Sequence, residues 1–485
     1  MKKKITIIIT SVCIFMILLL IILLVLVPNI TKTYNIEIKN NNVYGKGFEL
    51  NNKSIILTNN KYHITGSGDY TFIINSDKEI ILDNLDINSD NTIFDIQNGD
   101  VTFNIKGNNT LSSKKNIISG QSIKMIGKGS LNIKESDNAI NVNKDINIKD
   151  ITLNINTIGN AIKSKNGNIN IDNVRLTLKT SMEYIQDNEG RYIKINDIYY
   201  KKPKDYEYKE TRYSLKDSSK GLKAQNIIIN NSSINIDAID DSISAEDTII
   251  LNKSELLLAT NDDAISSDGK INVNNSKITI NSCFEGLEAM NVEVNNTEIY
   301  IDSNDDGINI NGVGKDLCDT CSLNIKDSKM NINSSGDGID AACNMTMENV
   351  IYNNKTKDDG IELLGKFDAK NSKIRVEVRN NEKLNYPVSA SQMTTFDDNT
   401  TVVIGVDNEF PIYSFLYGKM DYYRLENIDQ INIKSDNEII IEDKFDNKFN
   451  YVYYYNDILK GKDNYYLSNS EYKKLELVVF TDKIN

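Results

Sequence analysis

A hydrophobic residue with small and acidic neighbours recurs at intervals of 21 or 22 residues along most of the chain. The repeating positions are Ile118, Ile140, Ile162, Leu222, Ile243, Ile265, Leu287, Ile308, Ile339 and Ile361. Two intervals, Ile162 to Leu222 and Ile308 to Ile339, are longer, and each holds one repeat plus an insertion. Because a repeat of this length cannot bury a core alone, the pattern predicts a solenoid whose stacked coils complete one another's interior.

Within each repeat, apolar and polar residues alternate over short runs, as in Ile271 to Val273 and Ile278 to Ile280. This period of two is typical of β-strands. The runs are separated by pairs whose side chains bond local backbone and tolerate unusual turn dihedrals. These pairs are Asn231-Ser232, Asn275-Ser276, Asn296-Thr297 and Asn371-Ser372. The sequence therefore predicts an all-β fold, a right-handed parallel β-helix with three short strands in each coil and coils about 4.8 Å apart.

The amino-terminal end of the chain differs from the repeat. Lys2 to Lys4 precede an apolar run of 23 residues from Ile5 to Val27, which is long enough to cross a bilayer, and no small-residue cleavage site follows it. We therefore expect residues 1–30 to form an uncleaved transmembrane helix with the lysines inside. The rest of the chain then lies outside the cytoplasm, anchored to the membrane by this helix alone. Removal as a signal peptide is the alternative.

The remaining chain divides into three parts. We expect residues 31–60 to form an N-terminal cap and residues 61–394 to form the parallel β-helix, interrupted by an insertion at 181–219. Residues 395–485 no longer follow the repeat, and their strand-like, tyrosine-rich runs predict a C-terminal β cap or small β-domain. We expect the chain to be a monomer.

The charge of the chain limits the classes of molecule that it can bind. The formal net charge is −13, and the part after residue 30 carries −16, since the first 30 residues contain three lysines and no acid. An acidic exterior disfavours nucleic acids and anionic membrane surfaces. It suits an exported protein that binds cations.

The acids form columns along the predicted solenoid. Six successive coils carry a carboxylate two positions before the repeating residue: Asp241, Asp263, Glu285, Asp306, Asp337 and Asp359. A neighbouring column adds Asp240, Asp262, Asp305 and Asp358. In the earlier coils the matching residues are Asn116, Asn138, Asn160 and Lys220.

Stacked carboxylates need a counter-charge. Two of them about 4.8 Å apart repel by about 3 kcal/mol at the effective dielectric near a protein surface. Calcium accepts many oxygen ligands in flexible geometry, so we predict that these ten acids bind Ca²⁺, with several ions possible. The alternative is a solvated acidic edge whose acids only make tight turns.

An ordered series of motifs extends this interpretation. The series is Gly221-Leu222-Lys223-Ala224, Asp240-Asp241-Ser242-Ile243-Ser244, Asp262-Asp263-Ala264-Ile265-Ser266-Ser267, Phe284-Glu285-Gly286-Leu287-Glu288, Asp305-Asp306-Gly307-Ile308-Asn309 and Gly336-Asp337-Gly338-Ile339-Asp340. With Tyr62 to Gly68 and Pro387 to Gln392 at its ends, it resembles the bacterial carbohydrate-binding β-helix domain proteins, which are similar to pectate lyases in fold. The resemblance covers roughly Val43 to Thr400. It implies binding of calcium and of plant-type polysaccharide, including acidic polymers such as polygalacturonate.

Catalysis is an alternative to binding. Similar lyases of the pectate type use paired aspartates for calcium and a lysine as base, and Lys223 stands one coil before Asp240 and Asp241. Lys163 holds the equivalent position in an earlier coil. Since Lys223 also belongs to the binding family's own Gly-x-Lys-Ala pattern, it does not diagnose a lyase. We favour calcium-dependent polysaccharide binding, with a pectate-type lyase and a structural cell-surface adhesin as alternatives.

The long insertion adds aromatic candidates. Its tyrosines can stack on sugar rings, and its lysines can pair with uronates, so we expect the ligand to contact Lys223 together with Tyr199, Tyr200, Tyr206 and Tyr208. A β-hairpin that packs these tyrosines over the side of the solenoid is the alternative.

The cysteines leave their pairing open. Cys283, Cys318, Cys321 and Cys343 follow the apolar segment, and an oxidising exterior permits disulfides among them. The sequence does not fix which of them pair.

Overall fold

A computed structural model describes most of the predicted solenoid. The described residues are 32–181, 183–185, 192–195, 198–201, 219–311, 320–379, 386–392, 394–407, 421–435, 438–456, 466–467 and 476–479. The predicted anchor, together with Tyr206, Tyr208 and Cys318, lies outside them. Over these ranges, no helix has both the length and the apolar character needed to cross a membrane.

The described residues form 46 strands. The first 22 are β1 (Tyr34–Lys39), β2 (Asn42–Gly45), β3 (Phe48–Asn51), β4 (Ser54–Leu57), β5 (Lys61–Gly68), β6 (Thr71–Ile74), β7 (Lys78–Ser89), β8 (Phe94–Ile96), β9 (Asp100–Lys106), β10 (Asn108–Ser113), β11 (Ile118–Gly120), β12 (Ser122–Gly127), β13 (Ser130–Ser136), β14 (Ile140–Val142), β15 (Ile146–Lys149), β16 (Thr152–Thr157), β17 (Ile162–Ser164), β18 (Asn168–Asp172), β19 (Arg175–Thr180), β20 (Glu183–Ile185), β21 (Tyr192–Ile195) and β22 (Ile198–Lys201). The others are β23 (Leu222–Asn230), β24 (Ser233–Asp237), β25 (Ile243–Asn252), β26 (Glu255–Ala259), β27 (Ile265–Asn274), β28 (Lys277–Cys283), β29 (Leu287–Asn295), β30 (Glu298–Ser303), β31 (Ile308–Ile310), β32 (Ser322–Lys326), β33 (Lys329–Ser334), β34 (Ile339–Ala341), β35 (Asn344–Glu348), β36 (Ile351–Thr356), β37 (Ile361–Leu363), β38 (Phe367–Lys370), β39 (Lys373–Val378), β40 (Ser389–Ala390), β41 (Thr394–Phe396), β42 (Thr401–Val406), β43 (Asp421–Ser435), β44 (Glu438–Asn456), β45 (Tyr466–Leu467) and β46 (Glu476–Val479).

Successive strands wind into coils with three sides. Strands β14, β15 and β16 make one coil, and each pairs in parallel with its counterpart in the next coil, β17, β18 and β19. In later coils the first two sides merge into one long strand, as in β25 and β27. The result is a parallel β-solenoid of the right-handed type with about 12 turns of 22-residue coils. The predicted fold class is confirmed for the solenoid, while the N-terminal helix stays a prediction.

The repeating hydrophobic residues stack in the predicted register. Ile118 pairs with Ile140, Ile140 with Ile162, and the series continues pair by pair to Ile361. All ten are buried. The column continues to Phe94 and Phe72, which pair with one another and whose rings stack with centroids 5.0 Å apart. Alternation buries every second side chain inside the solenoid, where removal of apolar surface from water stabilises the coils.

The turns between the second and third sides adopt the unusual dihedrals that the sequence predicts. Asn231, Asn275, Asn296 and Asn371 have φ between 47° and 51°. Asparagine tolerates this left-handed region better than most residues. Its side chain also bonds between coils, since Nδ2 of Asn296 donates to Oδ1 of Asn275 over 2.8 Å.

A buried hydroxyl follows each of these turns and satisfies backbone groups in two coils. Oγ of Ser276 donates to the carbonyl of Asn274 over 2.8 Å and accepts from the amide of Ser254 over 3.2 Å. The amide of Ser276 in turn donates to Oγ1 of Thr297 over 3.3 Å. This hydroxyl ladder explains why Ser or Thr follows the asparagine.

The ends and the insertion have other pairings. β1 pairs in parallel with β5, and β42 pairs in parallel with β39. Beyond β42 the pairing becomes antiparallel, with β44 on β42 and β43 on β44. In the long insertion, β20, β21 and β22 form an antiparallel sheet of three strands.

Replacing Ser276 with alanine tests the hydroxyl ladder. The amide of Ser254 would lose its acceptor in the interior, and we expect the free energy of unfolding to fall by about 1–3 kcal/mol. Ser276→Thr is the matched control, because Thr297 holds the same place in the next coil. Urea unfolding followed by circular dichroism measures both. Equal midpoints for Ser276→Ala and the parent chain would contradict this role of the hydroxyl.

Candidate functional site

The column of six acids lies on one edge of the solenoid, where each coil bends into its first strand. The backbone fixes this alignment, because the carbonyl of each acid accepts a hydrogen bond from an amide in the preceding coil. Gly221 donates to Asp241 over 2.9 Å, and Ala264 donates to Glu285 over 2.9 Å. Gly338 donates to Asp359 at the same distance. Six carboxylates are therefore stacked by ordinary parallel β-structure.

These acids are buried, which the alternative of a solvated edge does not explain. Asp263 is 2% exposed, Asp241 and Glu285 are each 4% exposed, and Asp306 is 7% exposed. Asp337 is half-buried. Burying an ionised carboxylate is costly unless it is paired, hydrogen-bonded or protonated. The acids of this edge therefore need hydrogen-bond donors, protons or a cation as partners.

Among the described residues, carboxylates from neighbouring coils converge into four clusters. In each cluster one oxygen from every member lies within 4.8 Å of the others. The clusters are Asp240 with Asp241 and Asp262, Asp263 with Glu285 and Glu288, Glu285 with Asp305 and Asp306, and Asp337 with Asp340 and Glu362. Eight of the ten predicted acids take part.

Three members of the clusters were missed by the sequence analysis. Glu288, Asp340 and Glu362 each follow the repeating hydrophobic residue directly, so they stand on the outer face of the first strand. Asp340 and Glu362 are neighbours in the register of β34 and β37. The signal was an acid one position after Leu287, Ile339 and Ile361.

Backbone groups position the carboxylates within the clusters. The amide of Asp337 donates to Oδ1 of Asp306 over 2.7 Å, and the amide of Asp359 donates to Oδ1 of Asp337 over 2.9 Å. Gly336 leaves room for two carboxylates, since a Cβ there would lie 2.5 Å from Oδ1 of both Asp305 and Asp306. A residue with a side chain would push these oxygens apart.

The first cluster already has its counter-charge. Nζ of Lys220 lies 2.9 Å from Oδ1 of Asp240 and also contacts Oδ2 of Asp241. Burial alone would lower the pKa of Lys220, but the attraction of Asp241 and Asp240 raises it. Burial works against ionisation of Asp240 too, yet the ammonium of Lys220 holds its pKa below the ordinary value. A lysine side chain thus stands where a metal ion would otherwise be needed.

Several acids of the column have raised pKa values. Burial raises the pKa of Asp241 to about 7 despite the attraction of Lys220. Burial, together with the charges of Asp241 and Asp262, raises the pKa of Asp263 to about 10. Burial and the charge of Asp306 raise the pKa of Asp337 to about 8. Burial raises the pKa of Asp359 to about 7. Asp263 and Asp337 therefore hold protons at neutral pH unless a cation replaces them, while Asp359 loses its proton near neutrality.

The amide end of the column differs from the acidic end. Oδ1 of Asn138 accepts a hydrogen bond from the backbone amide of Asn160 over 2.9 Å, and Nδ2 of Asn138 donates to Oδ1 of Asn116 over 3.2 Å. Asparagine can donate and accept, so it forms a chain by itself. An ionised carboxylate only accepts, so a column of acids needs protons or cations.

Two predicted metal ligands lie outside the four clusters. Asp359 accepts a hydrogen bond from the amide of Tyr386, and Asp358 is exposed. Both belong to the coil that contributes Glu362 to the fourth cluster.

The predicted sugar ligands are placed less fully. Lys223 pairs in register with Lys163, as the spacing suggested. The lysine that contacts Asp240 and Asp241 is Lys220, three residues earlier in the chain. Tyr199 and Tyr200 lie in β22, opposite Lys194 and Ile193 of β21. Tyr206 and Tyr208 stay predictions because they fall outside the described residues.

One of the described cysteines, Cys283, lies near this edge, where the charges of Asp263 and Glu285 act on its thiol. Cys283, Cys321 and Cys343 are buried. The thiol of Cys283 donates to the carbonyl of Asp302 over 3.6 Å. Burial, with the nearby charges of Asp263 and Asp302, raises the pKa of this thiol. It is therefore a poor metal ligand at neutral pH.

One comparison with known proteins gives a match. A family model described as carbohydrate-binding domain-containing protein matches residues 93–264 and 256–401, which together cover more than half of the chain. No curated protein and no solved structure matches the chain.

The raised pKa values predict how stability depends on pH without divalent metal. An unfolded Asp has a pKa near 3.9, so above about pH 4 the folded chain binds more protons than the unfolded chain. The contribution of these acids to stability is then greatest below about pH 4 and is lost as pH rises through the folded pKa values, about 7 for Asp359, 8 for Asp337 and 10 for Asp263. We expect the melting temperature in chelator to be lower at pH 9 than at pH 5.

Asp263→Asn should reduce the fall in melting temperature between pH 5 and pH 9, because an amide does not ionise. The control is Asp268→Asn, since Asp268 is exposed and lies outside the clusters. A melting temperature that rises from pH 5 to pH 9 would show that the folded acids are not proton-bound.

Proposed function

The chain belongs to the family of carbohydrate-binding domain-containing proteins, and we therefore propose that its solenoid binds an acidic polysaccharide in a calcium-dependent manner. The family supports the polysaccharide partner. The convergence of carboxylates from neighbouring coils is the observation that carries the calcium dependence.

The residues fit a hard divalent cation. Calcium takes six to eight oxygen ligands, and Asp and Glu carboxylates are its preferred side chains. The second and third clusters share Glu285, so Asp263, Glu288, Asp305 and Asp306 are linked through it into one group of five acids. Asp337, Asp340 and Glu362 form a separate group. We assign calcium to these two groups, and not to the first cluster, where Lys220 supplies the positive charge.

The outward-facing acids connect the metal to a ligand. Glu288, Asp340 and Glu362 are only partly buried, so a cation beside them stays accessible from outside the solenoid. Bound calcium would supply open coordination positions for oxygen atoms of a sugar. A uronate carboxylate would suit such a position, because the cation offsets the repulsion between an acidic chain and an acidic polymer.

The proposed setting is outside the cytoplasm. The lysines and apolar run of residues 2–27 support an anchor at the membrane, with the solenoid exported. Extracellular calcium modules commonly bind with dissociation constants of about 10⁻⁴ to 10⁻³ M, and we expect a similar affinity here.

Retention on immobilised polygalacturonate tests the proposal. We expect the full-length chain to be retained much more strongly with 2 mM calcium than in excess chelator. Neutralising the separate group with Asp340→Asn and Glu362→Gln removes two ligand charges, and we expect calcium affinity by calorimetry to weaken by about tenfold or more. The control Asp268→Asn should bind calcium like the parent chain.

Two results would count against the proposal. Equal retention with calcium and with chelator would show that the polymer is held without the metal. If no acidic or neutral polysaccharide in a broad panel binds, polysaccharide is not the ligand of this chain. Rising ultraviolet absorbance from unsaturated uronide, abolished by Lys223→Ala, would instead identify a lyase.

A further inference from the structure

The outer face of the third side carries a second group of polar residues, none of which belongs to the four acidic clusters. Tyr300, Asn331, Asn353 and Arg375 stand side by side in β30, β33, β36 and β39. Two positions further along the same strands, Lys355 pairs with Glu377. These six residues line a cleft of about 580 Å³.

One wall of the cleft is aromatic. Tyr300 is 41% exposed, although the residues on either side of it, Ile299 and Ile301, are buried in the core. An exposed ring next to polar groups is typical of a binding site, because it offers an apolar face and a hydroxyl together.

The floor carries amides. Nδ2 of Asn353 donates to Oδ1 of Asn331 over 2.9 Å, which fixes both side chains across adjacent coils. A primary amide has two N–H donors and an oxygen with two lone pairs, so this single bond leaves both residues with capacity for ligand hydroxyls.

The far wall is positively charged. Nε and Nη2 of Arg375 donate to Oε1 of Glu377 over 3.0 and 2.8 Å, and the carboxylate is only 1% exposed. Nη2 of Arg379 lies 3.5 Å from the other oxygen of Glu377. Lys355 is the neighbour of Glu377 in the strand register and also lines the cleft, so the lining holds two cationic residues and one carboxylate. Glu377 therefore orients a guanidinium without cancelling the positive charge.

From this juxtaposition we infer that the cleft is a calcium-independent subsite for one anionic sugar residue, a uronate. The ring of Tyr300 packs on the sugar face, Asn331 and Asn353 bond its hydroxyls, and Arg375 with Lys355 binds its carboxylate. Planar guanidinium groups match carboxylates well. The inference deepens the proposed function and rests on it, but uses none of the residues assigned to calcium.

Titration calorimetry in excess chelator tests the subsite with the full-length chain. The probes are a galacturonate oligosaccharide and its methyl ester, which has the same rings without the charges. We expect the acid to bind and the ester to bind about tenfold more weakly or worse. Tyr300→Thr and Lys355→Gln should each weaken binding of the acid by a similar factor. Threonine is chosen because Thr279 holds the same position in the preceding coil.

Leu257→Thr is the matched control. Leu257 lies in the same column two coils earlier and is 40% exposed, but it does not line the cleft. It should leave the affinity unchanged. Arg375 is not substituted, because losing it would strand the buried charge of Glu377.

The outcomes separate this inference from the proposed function. Affinity for the acid that is unchanged by both Tyr300→Thr and Lys355→Gln overturns the subsite, as does equal binding of acid and ester. If polygalacturonate binds only with calcium and only the acidic-group variants weaken it, the proposed function stands and the cleft is not a subsite. If no uronate binds under either condition, the proposed function itself fails.

Discussion

Parallel hydrogen bonding between coils places equivalent residues directly above one another, about 4.8 Å apart. In this chain the register runs unbroken from Phe72 to Ile361, across both insertions. Any residue type that repeats with the coil therefore becomes a column, and the chemistry of that column follows from whether its side chains can satisfy one another. Aliphatic columns bury surface, while amide and hydroxyl columns exchange hydrogen bonds.

The acidic column is the exception, because ionised carboxylates cannot satisfy one another. Asparagine at positions 116, 138 and 160 forms a self-sufficient ladder, and Lys220 ends it with a positive charge that pairs with Asp240 and Asp241. Beyond that point the column consists of acids, and Asp263, Asp337 and Asp359 among them have raised pKa values. They can be neutralised by protons, which their raised pKa values favour, or by a divalent cation. The carbohydrate that the family description suggests could share such a cation.

Much of the fold could be predicted from the sequence, because the interval between hydrophobic residues survives both insertions. The turn asparagines and the equivalence of Lys163 and Lys223 followed from the same spacing. Phe72 and Phe94 were missed because phenylalanine replaces isoleucine there and no acid precedes it. The burial of the acids could not be derived, since strand alternation does not define how a bend packs.

The contacts around the sites needed three-dimensional information. The pairing of Lys220 with Asp240 joins the start of one coil to the start of the next. The cleft beside Tyr300 depends on the pairing of Tyr300 with Asn331, which crosses the shorter insertion.

A crystal structure of the chain grown in millimolar calcium tests the central claim most directly. We predict an ion coordinated by Glu285 and its neighbouring acids, and another by Asp337, Asp340 and Glu362. Well-defined density showing these carboxyls hydrogen-bonded to one another, with no ion between them, would contradict the account.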